Sequence, residues 1–224
     1  MLDERLRAVA DLVPIGSSAA DIGTDHAYLA IELYRLNSGR RVIAADLNAG
    51  PCAAARHTIA EAGCDGLIEV RQGDGLTVLS PGEVDAICIA GMGGKLEADI
   101  LEAGREIVQS LSFMVLQPQN GCDYLRGWLY KNGWKIEAEK LAKVDSRLYQ
   151  IIKAVPGTCD MPSEAGLILG PVLLKERPPL FHEHLINNLN TLKKIFAGLQ
   201  KGGSNTAGKI ADIQHKINVL EEYL

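Results

Sequence analysis

Long apolar runs are missing from this chain. No stretch reaches the roughly 18 residues that a bilayer-spanning helix needs, so no membrane segment is predicted. A basic-then-apolar leader is missing too, because Asp3, Glu4, Arg5 and Arg7 interrupt the opening residues at once. There is no C-x-x-C pair. The five cysteines, at positions 52, 64, 88, 122 and 159, are scattered and odd in number. Such usage argues against a disulfide framework or a zinc site and for small apolar groups or free thiols in a reducing cytoplasm. The expected location is therefore cytoplasmic, and no metal is expected. An excess of positive charge is the fourth absence. With 23 basic and 28 acidic residues the formal net charge is −5, so binding to nucleic acid through the overall field is excluded and any such binding has to be local.

What is present is an ordinary globular composition, 47% hydrophobic and 23% charged over 224 residues, a length that suits one domain with a substantial appendage. The pattern changes at Pro156. Residues 1–155 hold 16 basic and 21 acidic residues, whereas 156–224 hold seven of each. Before the break, apolar runs at Ala19–Ile22, Arg41–Ala45, Leu67–Val70, Val84–Ile89 and Phe113–Leu116 alternate with amphipathic stretches at Tyr28–Leu36, Pro51–Ala62, Lys95–Leu111 and Cys122–Tyr130. That cadence predicts an α/β fold, a parallel sheet with helices on both faces. Its ligand would sit at the carboxyl ends of the strands, near the switch in strand order. Trp134–Val144 and Leu148–Val155 meet at Asp145-Ser146 with no room for a crossover, which predicts an antiparallel hairpin closing the sheet. The opening segment, Leu2 to Val13, has helical spacing and should pack across an edge.

After Pro156 a proline-containing linker is expected, then two seams of alternating +4 and +3 steps, Leu185 to Leu199 and Ile210 to Leu224. Separated by the glycine-rich stretch 201–208, they predict an antiparallel helical hairpin of coiled-coil type. The division is thus 1–155 and 156–224.

The loops after the strands carry the chemistry. Asp21-Ile22-Gly23-Thr24-Asp25-His26-Ala27-Tyr28 is a glycine turn into a helix, but Asp25 stands where a dinucleotide fingerprint has its second glycine. A carboxylate there repels a pyrophosphate. The loop suits a ligand with positive charge and no phosphate, such as S-adenosylmethionine. Asp46 closes the second strand 23 residues past Gly23, where an acidic group reaches ribose hydroxyls; it could instead cap the next helix, as could Asn48. Gly73-Asp74-Gly75 ends the third strand and offers an acceptor to an adenine amine, or simply an Asp-Gly turn. Ala90-Gly91-Met92-Gly93-Gly94 ends the fourth, with three glycines in four residues. These would let a backbone approach something flat and leave amides and carbonyls facing it. Gln117 and Gln119, after the fifth strand, offer amides that can read a base edge or cap a helix.

The blocks Asp21–Tyr28 (DIGTDHAY), Ala45–Pro51 (ADLNAGP), Gly73–Leu76 (GDGL), Ile89–Gly94 (IAGMGG), Leu116–Pro118 (LQP) and Arg126 to Leu129 (RGWL), in this order and spacing, resemble the bacterial tRNA (adenine-22-N1)-methyltransferase family. The likeness spans 1–155 and continues through Gly170-Pro171 and the helical hairpin. One departure is Ala30, where the pattern leads one to expect proline.

The resemblance implies a class I, Rossmann-like methyltransferase sheet, S-adenosyl-L-methionine as donor, and N1 of an adenine in the D-loop or D-stem region of tRNA as acceptor. It places Asp21, Gly23, Thr24, Asp25 and His26 round the methionine part. Asp46, Leu47 and Asn48 fall at the ribose, Asp74 and Gly75 at the adenine, and Ala90, Gly91 and Met92 beside the cofactor, with Gly93 and Gly94 toward the target base. Asp25 and His26 are the catalytic candidates. Phosphate or base contacts are expected from Gln117, Arg5, Arg7, Arg126, Lys131, Lys193, Lys194, Lys201 and Lys209. A monomer is plausible for this chemistry, and the oligomeric state is not readable from the sequence. Rival readings are a small-molecule methyltransferase whose hairpin dimerises, a non-catalytic protein with a docking hairpin, and a nicotinamide dehydrogenase, which Asp25 disfavours.

Overall fold

Strand β1 (Ala19–Ile22) is buried along its whole length, as expected of a strand covered on both faces. With β2 (Val42–Asp46), β3 (Ile68–Gln72), β4 (Ala86–Ala90), β5 (Phe113–Gln117), β6 (Trp134–Val144) and β7 (Arg147–Pro156) it forms one seven-stranded sheet of order β3-β2-β1-β4-β5-β7-β6. The first five strands are parallel, and β7 runs antiparallel to both β5 and β6. The chain moves outward from β1 to β3 and then returns to β4 beside β1, so the switch point lies between β1 and β4. The computed structural model describes residues 2–200 and 207–224. Most of the glycine-rich stretch at 201–208, and Lys201 with it, lies outside the described residues.

The apolar runs alternate between two cores. Ala19, Val42, Ala44, Ala86, Cys88 and Val115 face α1 (Glu4–Ala10), α2 (Tyr28–Leu36) and α3 (Ala49–Glu61). Ala20, Ile22, Ile43, Ile87, Ile89, Met114 and Leu116 face α4 (Gly94–Ala103), α5 (Arg105–Ser110) and α6 (Cys122–Lys131). Successive side chains point to opposite faces of a strand, so a continuous apolar run fills both layers.

One local expectation changes. The segment Lys95–Leu111 is two helices, α4 and α5, broken at Gly104, where a Cβ would come within 2.6 Å of Leu76 in the 3-10 turn Gly75–Val78 and glycine lets that turn pack close. Helix α1 packs against α2, β7 and the edge strand β6, with Val9 and Ala10 buried, so the opening segment covers that edge as expected. The hairpin turn is carried by Asp145 at φ 53°, a left-handed position that Asp tolerates.

The chain divides into units Met1–Cys159 and Asp160–Leu224. Pro156 is the last residue of β7, and Gly157 N–H still donates to Gly133 O at 2.8 Å, so the sheet unit runs past the proline. In the second unit the expected linker contains two short helices, α7 (Glu164–Leu169), capped by the Ser163 hydroxyl, and α8 (Pro171–Glu176) with proline at its first position. Helices α9 (Phe181–Gln200) and α10 (Ala207–Glu221) pack together, and Lys193 Nζ meets Glu221 Oε1 at 2.7 Å. The buried part of the seam is Phe181, Leu185 and Leu189 with Ile217 and Leu220. Leu192, Phe196 and Leu199 are only half-buried.

Candidate cofactor site

A cleft of about 480 Å³ opens at the carboxyl ends of β1 and β4. Asp21, Gly23, Thr24, Asp25 and His26 line it from the β1 loop, Asp46 from β2, and Ala90, Gly91 and Met92 from β4. Asp3, Arg5 and Leu6 reach it from the α1 side and Tyr28 and Leu29 from α2, with Gln119 completing the lining after β5. The size suits a nucleoside-bearing ligand of drug-like dimensions.

Each element positions its residues by identifiable contacts. Gly23 and Thr24 both donate backbone N–H to Ala45 O, at 2.8 and 2.9 Å, and so pin the β1 loop to β2. Gly23 has φ 77°, and a Cβ on it would run into Met92 Cε, so the turn needs glycine both for its backbone and for the close approach. Asp25 (φ 49°) and Ala27 (φ 57°) hold left-handed conformations without being glycine; Asp tolerates that region, while Ala27 carries backbone strain of the kind found at functional loops. Helix α2 begins at Ala27 with no side-chain cap.

Asp21 is 3% exposed and accepts the Thr24 hydroxyl at 2.6 Å. Burial pushes its pKa up to about 6; the Thr24 and Ala30 donors and the Arg5 charge work against that rise, and Asp46 adds to it. Ala30 thereby supplies Asp21 with a backbone N–H that proline would lack. His26 and Asp25 stand at the rim, with side chains 50% and 72% exposed, 3.7 Å apart, and the His26 ring stacks on Tyr28 with centroids 5.7 Å apart. Asp46 Oδ1 accepts the Asn48 N–H at 2.9 Å. Asn48 occupies the N-cap position of α3 but makes no side-chain cap, so neither residue caps that helix with its side chain.

The remaining expected residues are placed differently. Leu47 and Asn48 follow β2, and Asp74 and Gly75 follow β3, on the same carboxyl rim but not in the lining of the cleft. The two strand ends are neighbours, since Gly73 N–H donates to Asp46 O at 3.0 Å. Two of the three glycine amides after β4 are taken up within the fold and are not open to a ligand. Gly91 N–H donates to Gln117 O at 3.0 Å, Gly94 N–H to Asn120 O at 2.8 Å, and Met92 O accepts Gln119 N–H at 2.7 Å. Gly94 instead permits the backbone of Gly121 to press on it, and Gly93 faces Asn120 Oδ1. Gln117 is fully buried and its Oε1 accepts Arg5 Nη1 at 2.6 Å, so it reads no base edge; exposed Gln119 takes the place at the cleft.

Arg126 is also fully buried. Its Nε and Nη2 donate to Glu139 Oε1 at 2.8 and 2.7 Å, and Nη2 donates to Gln150 Oε1 at 2.7 Å. It is a core ion pair, because a guanidinium on the inner face of α6 must find an acid there, and it offers no phosphate contact. Arg5 lies in the cleft wall, while Arg7 is exposed beside a second groove with Arg35 and Glu61. Lys193 is engaged by Glu221; Lys194 is exposed. Among the described residues no cluster of three or more His, Cys, Asp or Glu side chains is placed to hold a metal ion, and no helix is long and apolar enough to cross a membrane.

Sequence reasoning missed the contributions of Asp3, Leu6, Tyr28 and Leu29. Only Tyr28 carried a signal, as the last residue of the DIGTDHAY block.

The model of the tRNA (adenine(22)-N(1))-methyltransferase family matches residues 19–222. The chain belongs to this family. A Bacillus subtilis member, tRNA (adenine(22)-N(1))-methyltransferase, is 33% identical over 230 residues, covering 100% of this chain and 97% of its own. The crystal structure of the B. subtilis m1A22 tRNA methyltransferase TrmK superimposes with a TM-score of 0.87 at 33% identity, over 100% of this chain and 98% of that one. A Streptococcus pneumoniae protein solved in complex with S-adenosyl-L-methionine gives 0.84 at 32% identity, over the whole of both chains. In this TrmK family chain the residues present fit that cofactor. Four aspartates face a ligand that carries a sulfonium and an ammonium, and Gly23, where a side chain would close the turn onto Met92, keeps the cleft open.

Proposed function

We propose that the chain transfers the methyl group of S-adenosyl-L-methionine to N1 of the adenine at position 22 of tRNA, in the D-loop and D-stem region. The observation that carries this reading is the full-length family match joined to an acidic cleft at the β1/β4 switch point. Adenine N1 bears an in-plane lone pair at neutral pH, so transfer needs no prior deprotonation. The step is an in-line displacement, and its acceleration comes from holding N1 and the methyl carbon aligned. The bound cofactor supplies the electrophilic methyl group.

In this chain the β1 loop shapes the methionine part of the site, Asp46 serves the ribose, and the rim after β3 with Asp74 and Gly75 serves the adenine. The methylated base is cationic, and Asp25, held at the cleft mouth by its left-handed backbone, stabilises that charge or takes an N6 proton. His26 shares the rim. N1 lies on the Watson–Crick edge, so a paired target has to be exposed first. Recognition of the RNA is then local, by shape and phosphate contacts.

The test is incubation with methyl-labelled cofactor and either bulk tRNA or a small-molecule metabolite extract. Label is expected in tRNA, as N1-methyladenosine on nucleoside analysis; label confined to the metabolite extract refutes the reading. For Asp25, an Asp25→Asn enzyme, which tolerates the same backbone, should lose turnover at saturating cofactor. Wild-type turnover would remove its catalytic role.

A further inference from the structure

A second groove, of about 420 Å³, runs along helix α2. Tyr28, Ile31, Glu32 and Arg35 line it from α2, Arg7 from α1 and Glu61 from α3. Residues three and four apart share one helix face, so the α2 stripe is continuous. From Tyr28 to Arg35 it runs about 10 Å, roughly three nucleotide steps of a stacked strand. Tyr28 also lines the cofactor cleft, where its ring stacks on His26. Helix α1 serves both hollows, with Arg5 and Leu6 in the cleft wall and Arg7 in the groove. One strand can thus pass from the cleft into the groove beside Tyr28.

The groove's cations are free. Arg7 and Arg35 are exposed, and neither guanidinium has an ion-pair partner among the described residues. Other arginines of the sheet unit are engaged: Arg41 and Arg71 both meet Glu83, and Arg105 meets Glu102. The acids in the groove do not take up its two arginines. Glu61 lies 3.3 Å from His57 Nε2, and Glu32 makes no ion pair among the described residues. A free guanidinium is a planar fork whose geometry matches a phosphate, and phosphate contacts fix the register of a nucleic acid on a protein.

We infer that this groove carries the tRNA strand adjoining the target adenine, with Arg7 and Arg35 on its phosphates and Glu32 opposing them. This rests on the reading that the chain acts on tRNA.

The test is titration of the full chain with an unmodified tRNA transcript at several salt concentrations, with cofactor affinity measured in parallel by calorimetry. Arg7→Gln with Arg35→Gln should weaken tRNA binding about 10- to 100-fold at low salt. The salt dependence should become shallower by about 1.4 to 1.8 in slope, as for two phosphates released. Cofactor affinity should stay at the wild-type value. Arg7→Lys with Arg35→Lys, which keeps both charges, should retain most of the binding, and Arg105→Gln, on the other face of the sheet, all of it. Glu32→Gln should bind tRNA more tightly than the wild type. The inference is overturned if the double glutamine variant binds tRNA with wild-type affinity and salt slope, or if Glu32→Gln weakens binding. A wild type that binds no tRNA overturns the tRNA reading itself, and this inference with it.

Discussion

The Thr24 hydroxyl and the Asp21 carboxylate meet at 2.6 Å inside the β1 turn, at the base of the cleft. Asp21 is the buried acid nearest in kind to what a cationic ligand requires, and its raised pKa, about 6 against an ordinary 3.8, has a definite sign. The folded state holds the proton more tightly than the unfolded one. Stability contributed by the protonated form is therefore present near pH 4 and lost as pH rises through 6.

A cation bound beside Asp21 favours its ionised form. Cofactor affinity should accordingly rise with pH through about 6 and level off above 7, with proton release on binding below that point. Calorimetry in buffers of different ionisation enthalpy measures both. In Asp21→Asn the pH dependence over this interval should flatten; an unchanged slope would mean that Asp21 does not sense the ligand.

Arg126 and Glu139 form an ion pair with both side chains fully buried. Replacing one partner leaves an uncompensated charge, so Arg126→Met should cost about 3–5 kcal/mol in urea unfolding. The double change Arg126→Met with Glu139→Leu should recover most of it. Equal losses in the single and double variants would contradict a coupled pair.

Glu97 on α4 is buried with neither carboxylate oxygen hydrogen-bonded, and burial holds its pKa well above the usual carboxylate range. An unfulfilled buried acid costs stability, and the cost grows as pH climbs above about 4.5 toward the folded-state value. Glu97→Met should stabilise the protein by roughly 1–3 kcal/mol at pH 8, and by less at pH 5. Thermal melting at the two pH values checks it, and a destabilised variant would assign Glu97 a partner or function.

Lys194 and Lys209 are exposed on α9 and α10, with no ion-pair partner among the described residues. If the hairpin meets tRNA phosphates, Lys194→Glu with Lys209→Glu should weaken tRNA binding. The salt dependence should also become shallower, by up to about 0.9 in slope for each phosphate that the lysines neutralise. Cofactor affinity should not change. Unaltered tRNA binding would place the RNA on other surfaces.

Much of the fold was legible because burial on both faces writes a strand as an uninterrupted apolar run, and Ala19–Ile22 has the same bounds in sequence and structure. Helices α7 and α8, six residues each, were not legible by periodicity. Their only signals were local, Ser163 as a cap and Pro171 at a helix start. The need for glycine at 104, where α4 ends, comes from Leu76, which is distant in sequence. The β1 loop of the site could be read from its acidic residues. Gln117 and Arg126 could not, because a polar side chain's burial is decided by partners on other elements, here Arg5 and Glu139. Arg5 itself was expected to meet RNA and instead lines the cleft, since the path of α1 over the sheet is not written in α1 alone.

The most direct test of the account uses two transcripts of one tRNA, identical except for adenine or guanine at position 22, each incubated with the protein and S-adenosylmethionine. Reverse-transcription mapping should show a stop at position 22 of the first transcript and none on the second. Methylation at another adenine, or equal incorporation into both, would contradict the assigned reaction.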